Sequence, residues 1–387
     1  MIISTFNNEF NDILEISRKS DFIESYNNAP IIIYGAGQMG KDALTCLLEA
    51  NVKVDCFLDK NPNIIGQSIN NIPVIHPETL TSQQKENYIF AVSLVKFPFN
   101  SIRDYLLELG CKNICFIGDI VNQNCDINTI MSTWRLNNLS EDHYNQLKYL
   151  FKTYNDEISK KALLQFLYWV ISGEEKHFLD SPSDMNEKYF IPEVIDVLTD
   201  NEVFVDYDYI NINSISEIEN LVKDKFSAIH SFDPDEENIK IREEKLSLSK
   251  NKDKITLYKF GLANNNSEYN FEKNGSGLTV TTKFTSKKEG NLLPVIKLDS
   301  VMENKPYTYL KIYGLGIAQE VVKGAMESIK KYRPIIAITV HHQKEDFIEI
   351  PYLLMNNLRD YKFYLRLHSY CGFETIFYAI PNERGKL

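Results

Sequence analysis

Cysteine is scarce and scattered: Cys46, Cys56, Cys111, Cys115, Cys125 and Cys371 are the six among 387 residues. No Cys-x-x-Cys pair occurs, so the spacing of a structural zinc site is missing and no metal site is expected. Reduced, structural thiols are the expectation, and they fit a cytoplasmic location. Net positive charge is also lacking. Lys and Arg number 42 against 53 Asp and Glu, a formal charge of -11. That excludes a general binder of phosphate backbones, so no nucleic-acid partner is expected; a local basic pocket stays possible. Long apolar runs are missing too. The most apolar helical stretch, Ala162 to Ile171, is about half of a membrane span. The N-terminus has no basic region followed by a long apolar run. Neither a membrane span nor a signal peptide is expected.

What is present suits a folded chain: 43% of residues are apolar and 25% charged, ordinary values for a globular protein. At roughly 150 residues per domain, the length suggests two to three units. No internal repeat is evident. Residues 1–28 read as a polar helical preface. From Pro30 the pattern turns into alternating strands and helices. Ile31 to Ile33 is an apolar β run, Lys41 to Glu49 a helix, and Val52 to Leu58 a second strand. Tyr88 to Val92 and Asn113 to Ile117 are further strands, with a helix from Ser101 to Leu109 between them. This first domain, 1–125, reads as a parallel sheet covered on both faces.

Residues 126–200 form a helical bridge, with helices at Leu139 to Phe151 and Ile158 to Ile171. Its aromatic stripe, Phe151, Tyr154, Phe166, Tyr168 and Trp169, is core by default and a candidate homodimer surface if exposed. A second α/β domain, 201–387, follows. Its expected strands are Val203 to Val205, Ala228 to Phe232, Ile255 to Phe260, Leu293 to Leu298, Tyr309 to Ile312, Ile335 to Val340, Tyr361 to Leu367 and Thr375 to Ile380. Its expected helices are Ile215 to Val222, Glu236 to Leu248 and Ala318 to Ser328. The stretch Asn264 to Glu289, rich in Gly, Asn, Ser and Thr, is a candidate lid or a plain surface excursion. The fold class is α/β: two Rossmann-like domains joined by a helical bridge.

The first domain carries Gly35-x-Gly37-x-x-Gly40 directly after a strand and before a helix. The first glycine suits a tight turn, the second a close approach to pyrophosphate, and the third close helix–strand packing. Asp59, at the end of the next strand, is placed to accept bonds from a ribose. Gly35, Gly37, Gly40 and Asp59 are therefore the candidate residues for a nucleotide or nucleotide-sugar. The same turn also occurs as bare architecture. The segment Phe57 to Leu80, with Asp59-Lys60-Asn61-Pro62, Gly66 and Pro73-Val74-Ile75-His76-Pro77, resembles the N-terminal domain of bacterial sugar acetyltransferases. That resemblance implies a UDP-sugar pocket. The left-handed β-helix of those enzymes is absent, which makes His76 a loop residue. A nicotinamide-dependent enzyme is a third option on the same glycines, but no dehydrogenase residue set follows.

The second domain carries Phe232-Asp233-Pro234-Asp235, Lys311, Lys323-Gly324-Ala325 and Arg333-Pro334. Ala337 to His342, Asp346, Glu349-Ile350-Pro351, Arg366-x-His368 and Glu374-Thr375 follow in order. Across roughly 185–381 this resembles the FkbM methyltransferase family. The resemblance implies an S-adenosylmethionine (SAM) type sheet, a sugar or surface glycan as acceptor, and Asp206, Asp233 and Asp235 as cofactor-side acids. Lys311, His342, Arg366 and His368 are the candidate catalytic residues, facing the acceptor. His341 and His342 stand near Asp346 and Glu349, but structural bonding is favoured over a metal role.

Two departures fall at the chemistry. Where the family has Asp-Gly-Gly-Ala, this chain has Asp206-Tyr207-Asp208-Tyr209. Glycines there let the backbone turn under a ligand with no Cβ in the way. The family's Lys-x-Asp-x-Glu-Gly-Ala-Glu reads here Lys311-Ile312-Tyr313-Gly314-Leu315-Gly316-Ile317-Ala318, with all three acids gone. Two readings follow. The chain is a SAM-dependent O-methyltransferase with an open pocket beside Asp206. Alternatively, it is a non-catalytic relative that binds a nucleotide-sugar or scaffolds a glycan-modifying complex, with Tyr207, Tyr209 or Tyr313 filling that pocket.

Overall fold

The computed structural model describes residues 8–9, 12–13, 29–125, 135–136, 139–175, 183–209, 211–223, 225–274, 277–280, 291–314 and 316–385. Most of the preface expected over 1–28, and much of the Asn264 to Glu289 excursion, lie outside them. The chain divides into two units. One comprises Met1–Glu141, Lys161–Ser183 and Leu367–Glu374; the other comprises Asp142–Lys160, Asp184–Arg366 and Thr375–Leu387. The helical stretch read as a bridge is thus shared between them.

The first unit holds a six-stranded sheet of β1 (Ile31–Tyr34), β2 (Val54–Leu58), β3 (Ser68–Ile69), β4 (Ile72–Ile75), β5 (Ile89–Val92) and β6 (Asn113–Phe116), in the order β3-β4-β2-β1-β5-β6. Pairing is parallel except for the β3–β4 hairpin. All four residues of β1 and of β5 are buried, as parallel strands covered on both faces must be. The helix Gln38–Glu49 turns Ala43, Leu44 and Leu47 inward. A helix Ile117–Asn124 starts directly after β6, with Asp119 in its first turn. Arg135 pairs with Asp119 at 2.7 Å and lies over the Trp169 ring at 4.8 Å. Trp169 meets Phe116 edge-on at 5.0 Å.

One cysteine expectation is corrected here. Cys46 and Cys125 are joined in a disulfide, with Cα atoms 6.2 Å apart, while Cys56, Cys111, Cys115 and Cys371 are free and buried. The two partners are 79 residues apart in sequence. They meet because Cys46 sits in the helix Gln38–Glu49 and Cys125 caps the helix Ile117–Asn124, and these helices pack together.

The second unit holds a seven-stranded sheet. Its strands are β7 (Val203–Asp208), β8 (Ala228–Phe232), β9 (Ile255–Tyr258), β14 (Tyr309–Tyr313), β15 (Ile335–Thr339), β16 (Tyr361–Leu367) and β17 (Thr375–Pro381). The order is β16-β17-β15-β14-β7-β8-β9. The chain winds outward from β7 to β9, returns to β14 on the other side of β7, and winds outward again. The β15–β17 pair is antiparallel, and the β7–β14 pair marks the point where the winding reverses. A separate four-stranded sheet, β10 (Gly261–Leu262), β11 (Ser267–Asn274), β12 (Gly277–Val280) and β13 (Asn291–Ile296), runs in the order β10-β13-β11-β12. The expected helix over Ala318 to Ser328 is two helices, Ala318–Gly324 and Met326–Tyr332. A Cβ on Gly324 would run into the backbone of Ala263, so only glycine fits this close approach. A helix Asp346–Asn357 runs through Pro351, a residue that argues against a helix interior in sequence.

The aromatic stripe is core. Phe151, Tyr154, Phe166, Tyr168 and Trp169 are all buried, so the stripe offers no exposed face for self-association. Among the described residues, no helix is long and apolar enough to cross a membrane.

Candidate functional site

In an open α/β sheet the place to look is the carboxyl ends of the strands where the winding reverses. Here that is the end of β7 beside β14. Alternation along β7 puts Asp206 and Asp208 on one face and Tyr207 on the other. The register sets Lys311 of β14 opposite Asp206. Lys311 Nζ donates to Asp206 Oδ1 at 2.9 Å, to Asp208 Oδ2 at 2.7 Å and to Ser214 Oγ at 2.7 Å. Ser214, at the start of the helix Ser214–Leu221, also donates to Asp206 Oδ1 at 2.8 Å. Burial pushes the Asp208 carboxyl up, but Lys311 outweighs it and holds the group below the ordinary range. Burial likewise pulls Lys311 down, and the two carboxylates more than reverse it.

Asp233, at the end of β8, has a different cation. Arg242 Nη2 stands 3.3 Å from Asp233 Oδ2, and Arg242 Nη1 stands 3.8 Å from Asp206 Oδ2. Arg242 also donates to Ser231 Oγ at 2.7 Å and to the carbonyl of Asp208. Asp206 and Asp233 are both 0% exposed. Burial pushes Asp233 up to about 7, with Arg242 opposing. Asp235 stands outside this cluster: its side chain caps the helix Glu236–Ser247 by accepting from Glu237 N at 2.8 Å.

Tyr207 and Tyr209 are fully buried. Their rings lie 5.3 Å apart, and Tyr209 meets Phe271 of β11 edge-on at 6.2 Å. The Tyr209 carbonyl accepts from Asn238 Nδ2 at 2.6 Å. Tyr313 is only half-buried and meets the His342 ring at 5.0 Å.

His342 follows β15 and is buried, and neither ring nitrogen has a hydrogen-bond partner. Burial, with His341 and Lys188 adding to it, pulls its pKa well below the ordinary value, so the ring is neutral at pH 7. Arg366 is engaged elsewhere in the unit. It donates to Asp156 Oδ2 at 2.6 Å, to Glu193 Oε1 at 2.7 Å and to Ser159 Oγ at 2.8 Å. β16 ends at Leu367, and His368 belongs to the first unit, its N–H bonded to the Glu374 carbonyl at 3.0 Å. Of the four candidate catalytic residues, Lys311 is locked between acids and Arg366 sits in an ion-pair cluster. His368 is fully buried past its strand end. Among the described residues, no group of three or more His, Cys, Asp or Glu could hold a metal.

In the first unit, Gly35 has φ +107°, and a Cβ there would press on Ser93 Oγ at 2.8 Å. A Cβ on Gly40 would enter the Gly35 carbonyl oxygen, whereas Gly37 has open space around it. Asp59 does not stand free for a ribose. One oxygen accepts from Ala36 N at 2.9 Å and the other from Asn61 N at 2.8 Å, so the acid pins the glycine turn. His76 caps the short turn Pro77–Thr79.

Sequence reading missed Arg242, the central cation of the second unit. It hides in the highly charged helix Glu236–Ser247. The one available signal is its place three residues after Ile239, on the same buried face.

The fold has a counterpart among solved structures. The methyltransferase FkbM from Methylobacillus flagellatus KT superposes with a TM-score of 0.72 at 16% identity, over 96% of this chain and 99% of that one. The fold is similar to that of an FkbM methyltransferase. At that identity the likeness shows the fold alone, and it spans both units rather than the C-terminal half. A precorrin-6y C5,15-methyltransferase from Geobacter metallireducens GS-15 covers 52% of this chain and 93% of its own, at 11% identity and a TM-score of 0.28; so loose a match adds nothing. No protein-family model matches the chain, and no curated protein sequence does.

Proposed function

We propose that this chain is a methyltransferase-fold protein that does not use SAM, and that it serves as a binding or scaffold component in the modification of a sugar or surface glycan. The observation that carries the reading is the burial of the two acids on which a SAM site would depend. Asp206 and Asp233 are 0% exposed and face Lys311 and Arg242. An acid that holds ribose hydroxyls or an amine must present an oxygen to the ligand. Here the ligand would first have to break buried ion pairs, which costs several kcal/mol per separated charge. The buried Tyr207 and Asp208 stand where glycines would leave room, and the buried Tyr209 adds bulk beside them. The residues present do not fit SAM. The glycine turn of the first unit is proposed to take a nucleotide or nucleotide-sugar, through the amides at the start of the helix Gln38–Glu49, whose cap Gly37 contributes no side-chain bond.

The competing reading, O-methyl transfer to a hydroxyl, draws on one feature. His342 is a neutral, buried imidazole with both nitrogens unbonded, as a general base would need. Calorimetry with SAM and S-adenosylhomocysteine separates the two readings, using Asp233→Ala as the control. The expected result is no heat of binding to folded protein. Saturable binding that disappears in Asp233→Ala would overturn the proposal and make methyl transfer the leading reading.

A further inference from the structure

The second unit contains a cavity of 470 Å³ between the helices Ser214–Leu221 and Glu236–Ser247. That volume lies within the range of small-molecule sites. Its lining comes from both helices and the segment after the second. Arg242 is the one lining residue that also belongs to the closed end of β7 described above.

The lining has a sign. Arg242, Lys245 and Lys250 are its cations and Glu219 its lone carboxylate; Arg242 is already paired with Asp206 and Asp233, which leaves the two lysines as the surplus. Glu219 Oε1 is already bonded, accepting from Ser249 Oγ and Asn251 Nδ2 at 2.9 Å each. In a chain of net charge -11, such a surplus of cations runs against the overall field and favours an oxyanion. Arg242 adds an independent observation. The residue is 2% exposed; its two terminal nitrogens are engaged, but the buried Nε–H has no acceptor. A buried guanidinium N–H without a partner is rare and marks a place for an acceptor. The lining also has an apolar part. Ile215 and Leu246 line it, and Leu248 at its edge is 89% exposed, an aliphatic side chain left in water beside a cavity.

We propose that this cavity binds a small amphiphilic oxyanion: a carboxylate or phosphate ester on an aliphatic stem, its head met by Arg242, Lys245 and Lys250, its stem by Ile215, Leu246 and Leu248. The site shares Arg242 with the Asp206 and Asp233 cluster, while Lys245 and Lys250 are its own.

The test is calorimetry on the full chain with octanoate and hexyl phosphate, with hexyltrimethylammonium and inorganic phosphate as comparison probes. The expected result is saturable binding of at least one amphiphilic anion, tighter than either comparison probe. It should weaken about tenfold in Lys245→Gln/Lys250→Gln, two exposed charges of modest worth each, and severalfold in Leu248→Ser. All three positions are on the surface, so the variants keep the fold. The proposal is overturned if neither anion binds, or if the double variant binds as well as the parent. It is equally overturned if hexyltrimethylammonium or inorganic phosphate binds as tightly as the anions.

Discussion

Lys311 stands between Asp206 and Asp208 with all three side chains buried, and removing its charge is the sharpest perturbation of this arrangement. In Lys311→Met the methylene volume stays and the ammonium goes. Breaking a buried ion pair on one side costs about 3–5 kcal/mol. An independent route gives the same size. If Asp208 escapes the penalty by taking a proton, the cost is about 1.4 kcal/mol for each pH unit above its unfolded value near 3.9. That is roughly 4 kcal/mol at pH 7 and roughly 1.5 kcal/mol at pH 5. The sign follows from the direction of each shift. In the parent, Asp208 is held below its ordinary value, so its contribution is present throughout pH 5–7 and is lost only at more acidic pH. In the variant the folded pKa is raised, so proton uptake favours the folded state as pH falls. The gap between parent and variant must therefore narrow from pH 7 to pH 5. Urea unfolding followed by far-UV circular dichroism reads this, since neither Trp134 nor Trp169 falls within the second unit's residues. Adding Asp208→Asn to Lys311→Met should restore at least half the loss. A gap under about 1 kcal/mol at pH 7, or one that does not narrow by pH 5, would refute the reasoning.

Asp233 titrates the other way. Its folded pKa is raised to about 7, so its favourable contribution is full below about 3.9 and fades as pH rises through 7. Asp233→Asn should therefore gain on the parent between pH 4 and pH 8, by up to about 4 kcal/mol; a flat difference in urea midpoints would contradict the burial argument. In the first unit, Gly40→Ala should destabilise by about 1–3 kcal/mol through overpacking against the Gly35 carbonyl. Gly37→Ala, with open space around it, should change stability by less than about 1 kcal/mol. Tryptophan fluorescence on urea unfolding distinguishes these two; equal losses would mean the turn is not packed as described.

The sequence by itself determined the local elements and their class. The runs Ala228–Phe232 and Tyr361–Leu367 are strands with the bounds their composition predicts, because β-branched and aromatic side chains suit a pleated surface wherever it lies. The glycine turn was legible for the same reason: a positive φ at Gly35 and the tight packing of Gly40 are local demands. The bulky residues after Asp206 were legible too, and Tyr207 and Tyr209 are both buried. What only the tertiary structure decided is how charges and thiols met. Lys311 lies 105 residues from Asp206, and strand register alone puts them opposite one another. Arg242 is one of many charges in its helix, and only the packing of that helix on the sheet selects it for burial. Cys46 and Cys125 had no motif to join them until two helix ends converged. Propensity acts over a few residues, whereas a buried ion pair, an open cavity or a disulfide depends on which distant surfaces the fold brings into contact.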